Sequence, residues 1–441
     1  MKNLEKIGVN IPKVLLPREG LDLTKWSVVA CDQYTSQPEY WEELYRYVGD
    51  SPSTLHLILP EVYLEAEDVD LRIQKIHQAM IETLQKGILE EIEGLIYVER
   101  VLNHGTRKGL MVALDLEKYD FRPNSDSIIR ATEATIVERI PPRLKIRNDA
   151  ALELPHIMIL IDDEKKEVIE PLEQHKKSLL KLYDFTLNMG GGELRGYVVQ
   201  DQNLEKSVLK SLEALADEEY FYQRYNLERN YSPLVFAVGD GNHSMATAKT
   251  YWEKLKPTVA ANHPARYALV ELVNLYDEGL MFEPIHRLLI GVHYDILKEA
   301  QKYFGNVTIE KYDNFEKLAV KVKGNNGRPE NNTHSFGFIS SNGLHCLTVN
   351  NPKSSLAVAT LQDFIEHGLK EKWFDKVDYV HGDEVIRELA SKPTYAGFFL
   401  PPIDKKSLFK TVMVEGSLPK KAFSMGHAQE KRYYMEARKI R

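Results

Sequence analysis

Helical and extended hydrophobic patterns alternate along the whole of this chain, which restricts it to folds in which helices cover sheets: a mixed α/β class. No repeat of roughly 20–50 residues recurs, so a solenoid or a propeller is excluded. With 441 residues, 43% of them hydrophobic, the chain carries enough apolar material for two or three cores rather than one. Its longest apolar runs, such as Ile157–Ile161 and Leu234–Val238, reach about a third of the roughly 18 residues that a membrane span requires. No membrane association is expected. The opening Met1-Lys-Asn-Leu-Glu-Lys6 lacks the apolar block of a signal peptide, so the expected location is cytoplasmic.

Cys31 and Cys346 have no CxxC partner, so two buried thiols are expected rather than a disulfide framework or a cysteine-based zinc site. Lys+Arg number 57 against 65 Asp+Glu, a net charge of -8, which is the opposite of what a protein neutralising duplex phosphates usually shows. Nucleic acid is therefore not an expected partner. The segment Leu418–Arg441 reverses that balance, with seven Lys/Arg against two Asp/Glu, and reads as a basic, solvated tail.

Several elements can be placed along the chain. Ser27–Cys31 reads as a strand breaking into a polar loop that starts at Asp32, with Pro38 opening an amphipathic helix to Tyr47. Helical spacing recurs over Asp68–Leu84, and Leu95–Leu102 with Gly109–Leu116 reads as a hairpin. Phe121–Asn148 cannot be one helix because Pro141-Pro142 interrupts it. Leu154–Ile161 reads as a buried strand, Val168–Leu182 as a helix and Leu204–Leu215 as another. Gly190-Gly-Gly192 is followed by a strand, not by the helix start a phosphate loop needs, and reads as a flexible turn. Farther on, Asn342-Gly343 separates two strand patterns within Ser335–Val349, and the cluster Gly324–Asn332 is a polar loop.

One constellation can carry chemistry. The apolar strand Leu234–Val238 runs into Gly239-Asp-Gly-Asn-His243, and a helix is predicted over Ser244–Leu255. Free amides at that helix start form an anion site where they point into an open, electropositive hollow. Ser244 supplies an N-cap or first-turn hydroxyl, His243 a donor or proton carrier, and Asp240 a group that orients His243 or holds a divalent ion. The plain alternative is a strand-to-helix connection with an Asp-Gly turn. Asp32, at the end of the first strand, is a second candidate carboxylate. No metal-ligand set is nominated.

Asp240-Gly-Asn-His-Ser-Met-Ala-Thr-Ala248 resembles the Asp-Gly-His-His-Arg-Tyr-Glu-Thr-Ala signature of the domain-of-unknown-function 1015 family. Arg107-Lys-Gly-Leu110, Lys118-Tyr-Asp120, Ile129–Thr135, Met281–Arg287, Ala396–Pro402 and Leu418–Lys421 are similar, in order, to further motifs of that family. The loop is also similar to the one defining the ParB/sulfiredoxin-like superfold, which includes partition proteins, sulfiredoxin and free-serine kinases. The resemblance implies a ParB/sulfiredoxin-like mixed-sheet core, and phosphoryl transfer from ATP or ADP with Mg²⁺ to serine or a similar hydroxyl metabolite. By analogy with the family's His-Glu-x-Thr motif it implies Glu133 as general base; Gly241, Asn242, His243, Ser244 and the helix amides are expected to cradle phosphate, with Arg130, His286 and Arg287 supplying positive charge. This chain departs from the signature where Ser244 replaces Arg, Asn242 replaces His and Ala246 replaces Glu, which removes the bidentate clamp an arginine offers.

Three functions compete: a small-molecule kinase or phosphotransferase, a nucleotide- or metabolite-binding regulator without turnover, and a DNA-associated ParB-like protein. The absence of a helix-turn-helix pattern counts against the third. The expected organisation is an α/β core over 1–283 and a second α/β region over 284–441 ending in the basic tail.

Overall fold

The computed structural model describes residues 2–324 and 332–441, which divide into two compact units. One runs to Leu280 and takes in Gly426–Arg441; the other is Met281–Met425. The chain is of mixed α/β class. Among the described residues no helix is long and apolar enough to cross a membrane.

A ten-stranded mixed sheet organises the first unit. Its order is Leu180–Thr186, Glu193–Val198, Ile96–Leu102, Gly105–Asp115, Tyr267–Asn274, Met158–Ile161, Phe236–Asp240, Ile129–Ala131 and Tyr119–Asp120, with Val9–Asn10 beside Gly105–Asp115. Successive side chains on a strand point to opposite faces. Tyr97, Leu110, Ile159, Phe236 and Val270 accordingly enter one core, with Val208 and Leu212 of the helix Gln202–Ala214. Ile96, Val98, Met111 and Leu269 enter another, with Ile73, Ile76 and Met80 of the helix Val69–Gln85.

The second unit holds a seven-stranded sheet ordered Val307–Tyr312, Gly343–Asn350, Thr333–Ser340, Tyr395–Phe399, Phe282–Ile290 and Lys376–His381. Phe423–Met425 pairs with the start of Phe282–Ile290. Phe315, Leu318 and Val322 of one helix and Ile386 and Ala390 of another pack on Leu288, Ile339 and Phe399.

Both hairpins read from the sequence form, the first with a tighter turn because Gly105 already lies in its second strand. Several expectations are corrected. Ser27–Cys31 makes an isolated bridge between Val29 and Arg432, not a strand. The helix expected over Val168–Leu182 is confined to Glu170–His175 and one tight turn, since Leu180 already pairs with Val198. The polar cluster Gly324–Asn332 falls mostly outside the described residues.

The basic tail is the largest correction. Residues 426–441 belong with the first unit, where Arg432, Tyr433, Tyr434, Met435, Ala437 and Ile440 are buried. Backbone bonds hold this strap in place: Ala30 N donates to Lys431 O, Tyr433 N to Val28 O and Tyr434 N to Pro155 O. Its interleaved apolar residues outweigh its charge, because each fully buried large side chain contributes about 1.5–3 kcal/mol.

Candidate functional site

Three strand ends meet at one edge of the large sheet. Phe236–Asp240 and Ile129–Ala131 are parallel, so the residues after them, Gly241 and Glu133, emerge on the same side. Met158–Ile161 runs antiparallel to Phe236–Asp240 with Met158 opposite Asp240, so His156 and Ile157 lie just beyond that edge. Thr132 closes the seam, its hydroxyl donating to Val238 O at 2.7 Å.

The helix that starts here is Asn242–Leu255, two residues longer at its start than the pattern predicts. Gly241 is its N-cap, with φ of 80°, and a Cβ there would lie 3.0 Å from Ile157 Cα, so both conformation and space select glycine. Met245, Ala248, Tyr251 and Trp252 bury the opposite face in the core. Ser244 is thus a first-turn residue rather than the cap. Asn242, His243 and Ser244 are each partly buried, between the buried Gly241 and Met245. The first-turn amides have no partner within the helix. Gly241 N, just ahead of them, donates to Asp240 Oδ1 at 2.8 Å.

The surroundings are acidic, not the electropositive hollow the sequence suggests. Asp240 Oδ2 lies 3.0 Å from Lys431 Nζ, the cation delivered by the C-terminal strap. Burial opposes the Lys431 ammonium, but the charges of Asp240, Asp32 and Glu133 outweigh it and hold its pKa above the ordinary lysine value. Burial likewise opposes ionisation of Asp32. The neighbouring imidazole of His156, the Gln33 hydrogen bond and Lys431 together hold its carboxyl below the usual range. Three carboxylates therefore face one ammonium at the mouth of the site.

Two histidines serve different purposes. His243 Nε2 accepts from the Ile136 amide at 3.3 Å and ties the segment after Glu133 to the loop. His156 Nε2 and Ser244 Oγ share a hydrogen bond of 3.0 Å, while the buried His156 Nδ1 has no hydrogen-bond partner among the described residues. Asn242 Oδ1 is buried and unpartnered in the same sense. Ser244, Thr247, His156, Cys31 and Tyr433 border a cavity of about 130 Å³ whose other walls include Leu57, Leu59, Ile146 and Leu152. Burial, with the charges of Asp32 and Glu61, pushes the Cys31 thiol well above its ordinary value, so Cys31 stays protonated there.

The three remaining nominated cations are committed elsewhere. Arg130 turns its guanidinium onto the carbonyls of Ser127, Ser232 and Pro233, with Nη2 2.8 Å from Ser232 O. His286 and Arg287 lie in the second unit, both fully buried. His286 Nδ1 accepts from Leu400 N at 3.1 Å and its Nε2 is 3.2 Å from Asp383. Arg287 donates to Gln362, Ile285 O and Lys421 O. The glycine triplet is a hairpin turn closed by Leu187 N donating to Gly192 O.

Sequence reasoning missed His156 and Lys431. The Lys431-Arg432 pair was visible but was assigned to solvent, and a lone histidine before an apolar run carried no signal.

Fold and site together define a mixed α/β protein with a cluster of charged and polar side chains where a parallel strand pair ends and a helix begins. The chain belongs to the family described as protein of unknown function DUF1015, whose profile matches residues 15–368. No curated protein sequence matches it. Among solved structures, a conserved hypothetical protein from Pyrococcus furiosus is 10% identical at a TM-score of 0.35, covering 72% of this chain and 90% of its own. A free serine kinase in complex with AMP is 8% identical at 0.36, covering 72% and 88%. C-terminally truncated SbnI from Staphylococcus aureus is 8% identical at 0.35, covering 72% and 82%. Likeness this loose places no ligand and no catalytic residue in the present chain.

Proposed function

We propose that the pocket at the start of Asn242–Leu255 binds a nucleoside di- or triphosphate and transfers a phosphoryl group to a small hydroxyl-bearing metabolite such as serine, on a ParB/sulfiredoxin-like core. The observation that carries this reading is the half-exposed helix start, with Lys431 and the carboxylates Asp32, Asp240 and Glu133 gathered around it. First-turn amides and the helix dipole attract phosphate, and Lys431 supplies the charge that Ser244 no longer can. Glu133 accepts the proton of the acceptor hydroxyl.

Excess carboxylate charge would repel a free polyphosphate, so the nucleotide enters as its Mg²⁺ complex. Mg²⁺ is usually held by one or two carboxylates together with substrate phosphates, which Asp32 and Asp240 would provide. Among the described residues no group of three or more His, Cys, Asp or Glu is arranged to hold a metal alone, which suits a metal arriving with its nucleotide. When bound, the metal neutralises charge developing on the transferred phosphoryl group.

Incubation with labelled ATP or ADP, Mg²⁺ and a panel of hydroxy amino acids tests this. Labelled phosphoserine or a related phosphoester is expected. Nucleotide bound without any product would instead support a regulator that has lost turnover, the reading favoured by the loss of arginine at Ser244. The same carboxylates oppose docking of a DNA backbone.

A further inference from the structure

One of the three residues that depart from the family signature, Ser244, is hydrogen-bonded to a histidine. Ser244 Oγ lies 3.0 Å from His156 Nε2, within the range of a nucleophile and its base. The pair is assembled by tertiary structure, from residues 88 positions apart on different elements. Ser244 stands in the first turn of a 14-residue helix, where amides free of intrahelical bonds can receive an anionic transition state. His156 is held by the edge of the Tyr433 ring, 5.1 Å between centroids. Its buried Nδ1 has no partner among the described residues, so the ring is not locked into a structural network at both nitrogens. Ser244 and His156 both border the same cavity, so the pair faces open space rather than packed side chains on that side.

The geometry points to Ser244 as a nucleophile activated by His156, carrying the phosphoryl group as a phosphoserine between nucleotide and acceptor. This rests on the phosphoryl-transfer reading above and adds a covalent intermediate to it. In the first step Ser244 Oγ attacks the terminal phosphorus of the nucleotide. The Oγ–P bond forms, the bond from phosphorus to the bridging oxygen breaks, its electron pair leaves with the shortened nucleotide, and the hydroxyl proton passes to His156 Nε2. In the second step the acceptor hydroxyl attacks the phosphoserine and gives its proton to Glu133. The Ser244 oxygen leaves with the bond's electron pair and regains its proton from His156. Both steps are displacements at phosphorus, and no oxidant or further reactant is consumed.

The test uses the full chain with terminally labelled ATP or ADP and Mg²⁺, first without acceptor. Label on Ser244, located by peptide mass spectrometry, is expected, together with ping-pong kinetics once serine is added. A chirally labelled donor should transfer its phosphoryl group with net retention, since two displacements each invert. Ser244→Ala, checked for an unchanged melting temperature, should remove the label, Ser244→Thr, which keeps a hydroxyl, should still accept it, and His156→Gln should slow its appearance by about 10²-fold or more. Phosphorylated acceptor made with net inversion, or made by Ser244→Ala at the wild-type rate, overturns the intermediate while leaving phosphoryl transfer standing. If wild-type protein binds no nucleotide and phosphorylates neither itself nor any acceptor, the transfer reading falls and this inference with it.

Discussion

The loop Asp240–Ser244 and the pair His286-Arg287 both belong to recognisable motifs, yet their polar atoms are spent in opposite ways. In the second unit every donor nitrogen group of Arg287 is engaged, its guanidinium lies 4.7 Å from the centre of the Tyr379 ring, and both nitrogens of His286 have partners. At the loop, Asn242 Oδ1 and the nearby His156 Nδ1 are buried without partners among the described residues, beside a cavity. A buried polar group left without a partner costs about 1–3 kcal/mol, so such atoms persist where something other than stability selects them. Motif membership therefore does not separate chemistry from architecture.

Three substitutions sharpen or break that contrast. Arg287→Ala has the largest expected effect, a loss of about 3–5 kcal/mol in urea unfolding, because three acceptors, two of them buried, lose their donor at once. Nucleotide binding by the folded fraction should not change; a selective loss of binding with full stability would move Arg287 from architecture to chemistry.

Lys431→Met comes next. It leaves Asp240, Asp32 and Glu133 without their ammonium, and about 1–2 kcal/mol is expected, less than for a buried pair because both side chains of the Lys431–Asp240 bridge are 22% exposed. Affinity for Mg²⁺-nucleotide, measured by calorimetry, should fall about tenfold or more. Unchanged affinity would mean that the strap carries no functional charge.

His286→Gln has the smallest effect and shows only in the pH profile. Burial holds His286 below its ordinary value of 6.5, against the hydrogen bond and charge of Asp383. The hydrogen bond from His286, chiefly, lowers Asp383 to about 2. The unfolded chain thus binds more protons than the native one in acid, so stability is complete above about pH 6.5 and declines as pH falls through the lower native values. Thermal melts of His286→Gln should decline less steeply over that window. A slope equal to the wild type would assign the acid sensitivity to other groups.

How much of this was legible depended on distance along the chain. The strand–glycine–helix unit at Phe236–Leu255 declared itself because apolar spacing, an Asp-Gly turn and the helical period are all local signals. Arg130 was misread for a different reason: spacing places a residue on a strand but does not say that its guanidinium will turn back onto the Ser127, Ser232 and Pro233 carbonyls. The segment Val168–Leu182 satisfied a helical pattern, and pairing with Glu193–Val198 claimed its end for the sheet, since tertiary hydrogen bonding overrides weak propensity.

From the sequence alone follow the mixed α/β class, the two hairpins, the strand-turn-helix unit around Asp240 and the kinship of Asp240–Ala248, because each depends on residues within a few turns of one another. Tertiary structure alone decided that the charged tail returns to the first unit, that Lys431 meets Asp240, and that His156 rather than His243 faces Ser244. Those pairings arise from burial of distant segments against a common sheet edge. The free energy of such burial depends on which surfaces meet, and a local pattern does not record that.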